Sequence, residues 1–457
     1  MTRNGAIAAI ALVLFVCGLA IWDYLDVKTQ LPPERREVVF WHFWGGADRA
    51  IVEDVVNRFN RSQDEHFVRA IAMPGNNLDL KLFLAVSGGE PPDLINQDDP
   101  IMADWASRGA LVPLDEVASP DEVERLRAWL VPAARQLGSY NDRMYALCNG
   151  LDIRALYYNK TLLDEYQLSP PTNLKELDQI AISTTKFDDK TGKPERFGFL
   201  PDPRRLTAWG AVFGGDFFDE PTGRVTADSD PIVRTLEWMT SYRRRYGTVA
   251  VAAFRQGDQS LPGKSFPLLA GRYTMVMDGQ WRVRDIVASQ DEQRRRGVAV
   301  TQYGVCPLPA PAGGRERAGW VNGNFFVVPR GAKNQSGAWQ FMKFWSGFGG
   351  YESEAAKTCR AGGWIPVSKR VVQQPEFQRY LTEQPLFAQF VALAESPNQF
   401  PTPVVPGAPF FQRTINAVAS TAMYVEGAAP ARELLRDATR TIQIQLDAIK
   451  ETRIVAP

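Results

Sequence analysis

The order of apolar and polar positions predicts alternating strands and helices from residue 38 onward. Val38–Trp41 is a short apolar run typical of a strand. The segment "DRAIVEDVVNRFN" that follows predicts a helix, because its apolar residues recur at helical spacing, at Ile51, Val52, Val55, Val56 and Phe59. Gly45 and Gly46 lie between the two. A strand, a glycine turn and a helix in this order are typical of the start of an α/β unit.

The same alternation continues along the chain. It predicts strands at Val68–Met73, within "PPDLINQD" and at Ala155–Tyr158, and helices at Leu78–Ser87, at Ile101–Arg108 and from Lys160 onward. The prolines of "PPTNLKELDQIAI" mark another helix start, and two apolar helices are expected at Arg413–Val425 and Ala431–Ile449. The predicted fold class is therefore α/β, with no internal repeat.

The N-terminus carries an apolar run that is nearly long enough to cross a bilayer. No residue from Gly5 to Trp22 is charged, Arg3 precedes this run, and Asp23 follows it. We expect residues 1–27 to be a membrane anchor or signal, with the N-terminus in the cytoplasm, and residues 28–36 to be a polar tether. A cleaved signal peptide and a lipoprotein signal around Cys17 are the alternatives. The bulky residues flanking both cleavage positions favour an uncleaved anchor.

Composition limits the classes of function. The 457 residues, 45% of them apolar, are enough for two or three packing units. Lys plus Arg and Asp plus Glu both number 52, and the pI is about 6.8. Because this balance creates no long-range basic field, we expect no nucleic-acid partner.

Common catalytic and metal-binding motifs are absent from the sequence. The chain has two histidines, His42 and His66, outside any HExxH motif, four cysteines without CxxC spacing, and no glycine-rich nucleotide-binding loop. We expect no metal, no cofactor and no disulfide framework, although one bridge among Cys148, Cys306 and Cys359 is possible. Two enzymatic or metal hypotheses stay open: a carboxylate pair drawn from Asp98, Asp99 and Asp152 for glycoside hydrolysis, and ferric iron held by Tyr157 and Tyr158.

Several stretches together resemble the extracellular solute-binding proteins of ABC importers, in the carbohydrate-binding group that includes maltose-binding protein. They include "VVFWHFWGG", "DLKLFLAVSGGEPPDL", "GALVPLDE", "MYALCNGLDIRALYYNKTLLDE", "FPLLAGRYTMVMDGQW", "NGNFFVVPRGAKNQSGAWQFMKFW" and "GGWIPVSK". The resemblance implies a two-lobe periplasmic-binding-protein fold with discontinuous lobes and a hinge. Lobe 1 would comprise residues 37–149 and 320–362, and lobe 2 residues 153–318 and 366–450.

The resemblance also implies a sugar site in the cleft between the lobes. Sugar rings present apolar C–H faces and hydroxyls, so such a site uses aromatic planes together with hydrogen-bonding side chains. The family's contact positions fall on Trp44, Gly45, Gln97, Asp98, Asn149, Asp152, Trp209, Trp281, Asn322, Asn324 and Trp364. Trp44, Trp281 and Trp364 would stack on the sugar, and Asp98 and Asp152 would accept from its hydroxyls. Because these contact loops contain no arginine or lysine, phosphorylated and acidic ligands are disfavoured.

The expected function is that of the substrate-binding component of an ABC importer, taking a sugar, oligosaccharide or polyol to its permease. The protein is expected outside the cytoplasm, as a monomer tethered by its N-terminal helix. A tethered sugar sensor and a carboxylate-dependent glycoside hydrolase are the alternatives. One residue departs from the family pattern, because Cys148 stands where the first crossing between lobes usually carries proline.

Overall fold

The computed structural model describes residues 34–73, 78–97, 100–259 and 266–454, together with Pro32 and Leu261. The expected anchor at 1–27, most of the tether and Asp98 lie outside these residues. Among the described residues, no helix combines the length and the apolar composition needed to cross a bilayer.

The strands and helices of the described residues confirm the mixed α/β architecture. The strands are β1 (Arg36–His42), β2 (His66–Ala72), β3 (Leu94–Gln97), β4 (Leu111–Val112), β5 (Ser139–Tyr140), β6 (Arg143–Met144), β7 (Ala146–Asn159), β8 (Lys186–Phe187), β9 (Pro194–Arg196), β10 (Phe218–Asp219), β11 (Arg224–Val225), β12 (Met275–Gly279), β13 (Tyr303–Cys306), β14 (Gly319–Pro329) and β15 (Gln399–Phe400).

The helices lie between and after these strands. They are α1 (Gly46–Ser62), α2 (Leu78–Ser87), α3 (Met102–Ser107), α4 (Leu114–Val117), α5 (Pro120–Trp129), α6 (Pro132–Leu137), α7 (Lys160–Glu165), α8 (Leu174–Ser183), α9 (Leu206–Val212), α10 (Asp230–Tyr246), α11 (Thr248–Gln259), α12 (Arg282–Arg295), α13 (Gln335–Ser346), α14 (Glu352–Gly362), α15 (Lys369–Val372), α16 (Pro375–Glu383), α17 (Pro385–Ala394), α18 (Ala408–Tyr424) and α19 (Ala431–Ile454), with a 3₁₀ turn at Pro203–Arg205.

The main sheet has nine strands and is organised around two long ones. Its order is β12-β7-β14-β3-β1-β2, with β13 also on β7, and β4 and β15 also on β14. Strands β1, β2 and β3 pair in parallel, as the α/β unit predicted from Val38–Trp41 requires. Strand β7 pairs antiparallel with β14 over its first half and with β12 and β13 over its second half. The two long strands therefore link the first part of the sheet to the second.

Local sequence explains where several elements begin. Asn159 caps α7 by accepting from the amide of Leu162, and Asn173 caps α8 by accepting from the amide of Glu176. The side chain of Asn334 caps α13 through the amide of Gly337 at 3.1 Å. Helix α2 has the bounds predicted from its apolar spacing, and α18 starts five residues before the predicted Arg413 because Pro409 occupies its first turn.

The cysteines make no disulfide in the described part of the chain. Cys148, Cys306 and Cys359 are free, so the single bridge that the sequence left possible among them is not formed. Cys148 is fully buried in β7, with its sulfur 3.6 Å from the carbonyl oxygen of Ala134. Burial raises the pKa of its thiol to about 12, so this thiol is protonated at neutral pH.

Candidate ligand site at the crossing strands

The loop after β1 places Trp44 in a stack of three tryptophans. Its ring lies 5.5 Å from that of Trp345 at an interplanar angle of 10°, and 5.4 Å from that of Trp364. Trp345 and Trp364 stack at 5.9 Å. Trp44 and Trp364 are each 6% exposed and Trp345 is fully buried. Two of the three residues predicted to stack on sugar are therefore brought together, with only a small part of each ring accessible.

Gly45 follows Trp44 at the start of α1. It is exposed, and a side chain at this position would meet no atom within 4 Å. Gly46, the first residue of α1, has a φ of +57° and so requires the left-handed conformation that glycine adopts easily. The loop thus presents backbone rather than side chains beside the tryptophan stack.

The amide of Asn149 holds this stack in place. With its amide oriented to satisfy both neighbours, Asn149 accepts from the indole N–H of Trp345 at 3.0 Å and donates to the backbone oxygen of Asn324 at 2.6 Å. Gln97, at the end of β3, is also buried, and it pairs in register with Phe325 of β14. These two predicted contact residues lie deep in the structure.

A second group of predicted residues lies where β7 pairs with β14, the two strands that we call the crossing strands. Asp152 lies opposite Asn322 in the antiparallel register, and both side chains are half-buried. Asn324 lies opposite Gly150 and is buried. Because side chains two residues apart in a strand share a face, residues 152 and 154 lie on one face of β7.

Besides β7 and β14, a third chain segment lies in this region, and it contacts β7 through Trp364 and Ile365. The backbone of Ile365 pairs with that of Leu151. A Cβ added to Gly150 would lie 3.0 Å from the Cβ of Trp364, so glycine permits this close approach. Three chain segments therefore run side by side at this point.

Gln280, which the sequence did not point to, fixes Asp152. Its side-chain amide donates to the Asp152 carboxylate at 2.6 Å and to the backbone oxygen of Leu151 at 3.2 Å. Its side-chain oxygen accepts from the amide of Ile153 at 3.1 Å. Gln280 is 1% exposed and directly precedes Trp281. The motif "DGQW" thus attaches the end of β12 to the middle of β7.

Arg154 and Trp320 also belong to this region and were missed from the sequence. The guanidinium carbon of Arg154 lies 4.3 Å from the ring centroid of Trp281 and 4.8 Å from that of Trp320. Arg154 is 6% exposed, and burial lowers the pKa of its guanidinium to about 10. Strand alternation in the sequence could have indicated both residues. It places Arg154 on the same strand face as Asp152, and Trp320 on the same strand face as Asn322.

Trp209 packs against other aromatic rings. It is fully buried in α9, with its ring 4.7 Å from that of Trp238 and 5.9 Å from that of Phe199. Its contacts are those of an aromatic core residue in this part of the chain.

A cavity of about 960 Å³ lies next to the second group. Its lining is strongly charged and includes Asp202, Arg204, Arg205, Arg255, Asp258, Asp278 and Arg282. It joins the crossing strands through Asp278 of β12, whose neighbour Gly279 pairs in register with Arg154. Within the described residues no group of three or more His, Cys, Asp or Glu side chains is placed to hold a metal ion.

Comparison with known proteins gives the family. Residues 54–384 match the family described as bacterial extracellular solute-binding protein. A maltotriose-binding protein from Pyrococcus abyssi is 23% identical over 348 residues, which are 75% of this chain and 69% of that protein. An arabinooligosaccharide-binding protein from Bacillus subtilis is 22% identical over 314 residues, 68% of this chain and 69% of that protein.

Solved structures show the fold. The sugar-binding protein MalE from Xanthomonas citri superposes with a TM-score of 0.74 at 17% identity, covering 92% of this chain and 100% of that one. CpMnBP1, solved with mannotriose bound, superposes with a TM-score of 0.73 at 23% identity, covering 89% of this chain and 99% of that one. The periplasmic-binding-protein-like α/β fold predicted from the resemblance is confirmed, and this chain belongs to the bacterial extracellular solute-binding protein family.

Proposed function

We propose that this protein is the substrate-binding component of an ABC importer and that it binds an oligosaccharide between two lobes. The lobes would be those expected from the sequence, residues 37–149 with 320–362 and residues 153–318 with 366–450. The extracellular family and the oligosaccharides named for the relatives from Pyrococcus abyssi and Bacillus subtilis support this function.

The observation that carries the proposal is the set of side chains at the crossing strands. Asp152, Asn322 and the half-buried ring of Trp281 meet there. A carboxylate and an amide supply acceptors and donors for hydroxyl groups, and an indole face packs on the C–H face of a pyranose ring. The crossing point of the chain segments is also where a hinge would lie, so a ligand there contacts both lobes at once.

Ligand binding would favour the closed arrangement of the lobes, and that arrangement would dock on the permease. Two ion pairs among the described residues join these proposed lobes, Arg284 with Asp48 at 3.1 Å and Arg360 with Glu376 at 3.3 Å. Residues 1–27 would keep the monomeric protein at the outer face of the membrane, with residues 28–36 as the tether.

Binding without hydrolysis distinguishes this function from the hydrolase alternative. The family is one of binding proteins, and the described carboxylate of the supposed pair, Asp152, is held by the Gln280 amide. A purified sample should bind an oligosaccharide and leave it intact over hours.

The test is a thermal-shift and calorimetric screen of the full chain with maltotriose, mannotriose, arabinotriose, polyols and amino acids. A ligand at 100 times its Kd adds about 2.7 kcal/mol of apparent stability, which gives an easily measured shift. Trp281→Ala should remove the response, because it deletes the half-exposed ring at the crossing strands. Trp129→Ala is the matched control, since this half-buried ring packs on Phe348 outside the site. A response to amino acids alone, or one that survives Trp281→Ala unchanged, would overturn the proposal.

A further inference from the structure

Two arginines near the crossing strands form no ion pair within 4 Å with any carboxylate of the described residues. The Nε and Nη1 atoms of Arg154 are buried and have no hydrogen-bond acceptor among the described residues. The contacts of Arg154 with Trp281 and Trp320 favour its charge but leave its N–H groups without acceptors. An arginine presents five N–H donors and stays charged, so a buried one without acceptors has donors available to a bound group.

Arg205 is the second such arginine. It is half-buried, lines the 960 Å³ cavity and forms no ion pair within 4 Å in the described part of the chain. Its positive charge adds to burial in lowering the pKa of Arg154, while the charges of Asp152 and Asp278 act in the opposite direction, so the two guanidinium groups disfavour each other's charge. An anion beside both would convert this repulsion into attraction.

The carboxylates that line the cavity compensate these two charges only in part, because each forms an ion pair with another arginine. Asp202 binds Arg204 at 2.7 Å, Asp258 binds Arg272 at 2.6 Å and Asp278 binds Arg282 at 2.9 Å. Asp152, the other nearby carboxylate, accepts from the Gln280 amide. The cavity wall therefore has a local excess of positive charge although the chain as a whole is neutral.

We propose that the ligand is a carbohydrate with an anionic substituent, a carboxylate or a phosphate, and that Arg154 and Arg205 bind this substituent. The inference rests on the proposed function and specifies its substrate class. Guanidinium groups bind carboxylate and phosphate oxygens through paired N–H donors, and the two indole rings hold the Arg154 plane in one orientation. Asp152 and Asn322 would meanwhile bind hydroxyls on the sugar. The expectation that acidic ligands are disfavoured considered only the contact loops, whereas Arg154 lies within β7 and Arg205 closes a 3₁₀ turn.

The test compares charged sugars with neutral counterparts of nearly the same shape, using titration calorimetry on the full chain. One pair is digalacturonate and its dimethyl ester, and the other is maltose 6-phosphate and maltose. We expect the charged member of at least one pair to bind at least tenfold more tightly, with an affinity that falls as salt rises. The pair that shows the difference identifies the substituent as carboxylate or phosphate.

Two variants assign the effect to the arginines. Arg205→Gln should lower affinity for the charged sugar at least tenfold while changing affinity for the neutral one less than threefold, and it should fold because Arg205 lines a cavity. Arg154→Gln should act in the same direction. Arg295→Gln is the matched control, because Arg295 is exposed on α12 and its one ion pair among the described residues is with Glu292. This variant should bind like the unmodified protein.

The outcomes separate the two proposals. If maltotriose, mannotriose or either neutral counterpart binds as tightly as every charged sugar, the inference is wrong and the proposed function stands. Equal losses for charged and neutral sugars in Arg205→Gln would also overturn the inference. If no carbohydrate of either kind binds, the proposed function falls, and the inference falls with it.

Discussion

Replacing Gln280 with leucine tests whether this side chain holds the crossing strands together. Gln280 is 1% exposed and its amide makes three hydrogen bonds, to the Asp152 carboxylate, the Leu151 carbonyl and the Ile153 amide. Leucine has a similar volume and makes none of them. The change therefore removes polar contacts while leaving the space filled.

The expected loss follows from the groups left behind. The buried Ile153 amide loses its acceptor, which costs about 1–3 kcal/mol. The Asp152 carboxylate loses a charge-assisted bond worth about 1.5–3 kcal/mol, at the lower end here because this carboxylate is half-exposed and water can replace the donor. The Leu151 carbonyl keeps a second donor, the amide of Ile365 at 3.4 Å. We expect Gln280→Leu to lower the free energy of unfolding by about 3–5 kcal/mol.

Urea unfolding followed by tryptophan fluorescence measures this change. If the slope of the unfolding free energy against urea concentration is unchanged, the variant differs from the unmodified protein only in stability. The control is Gln302→Leu, because Gln302 is exposed and, within the part of the chain that the structure describes, its side chain donates to the Val300 carbonyl alone. That control should change stability by less than about 0.5 kcal/mol. A Gln280→Leu variant as stable as the control would show that Gln280 does not support the crossing strands.

Three further predictions concern the tryptophan stack, a buried histidine and a buried thiol. Trp345→Ala should destabilise the protein by about 3–5 kcal/mol in urea unfolding, because it removes the fully buried ring against which Trp44 and Trp364 stack. Burial lowers the pKa of His42 from 6.5 to about 4, so the unfolded state binds more protons between these values. Stability should therefore fall by about 2–3 kcal/mol from pH 7 to 4.5, and His42→Gln should lose that part of the pH dependence. Cys148 should resist iodoacetamide at pH 8 until urea unfolds the protein, as mass spectrometry of its peptide would show.

The sequence predicted the elements of the first sheet well because each carries its own signal. The apolar run at Val38–Trp41 became β1, and the helical spacing after it became α1, since burial of one face is enough to define such elements. The family resemblance added the fold and named Asp152, Asn322 and Trp281, which the structure brings to one place. These three residues lie close together because Trp281 follows the end of β12 and Asp152 and Asn322 lie on paired strands, and their role in binding stays a prediction.

Other parts of the site depend on partners that are far apart in the chain. In the sequence, Trp345 cannot be distinguished from the other apolar residues of an amphipathic helix. Its contacts with Trp44 and Trp364 arise from the packing of α13 against the loop after β1. Position in a motif did not show burial either. Trp209 and Gln97 were named as contacts by resemblance, and the structure buries both, so their roles stay predictions.

Charge pairing is the property that the sequence shows least. A neutral chain with 52 charges of each sign can still hold unpaired arginines, because pairing depends on which side chains come within about 4 Å after folding. Asp202, Asp258 and Asp278, which line the cavity, each pair with an arginine 2 to 14 positions away in the chain. These ion pairs are therefore local in sequence. In the described part of the chain Arg154 has no carboxylate within 4 Å, although Asp152 and Asp278 favour its charge from farther away, and two tryptophan rings pack on its guanidinium. Burying a charge without a partner is costly, and the proposed anionic ligand would supply the counter-charge. The same strand carries Asp152 two residues earlier. An acidic and a basic side chain therefore lie on one face of β7, at the place where we propose that the ligand binds and the lobes move relative to each other.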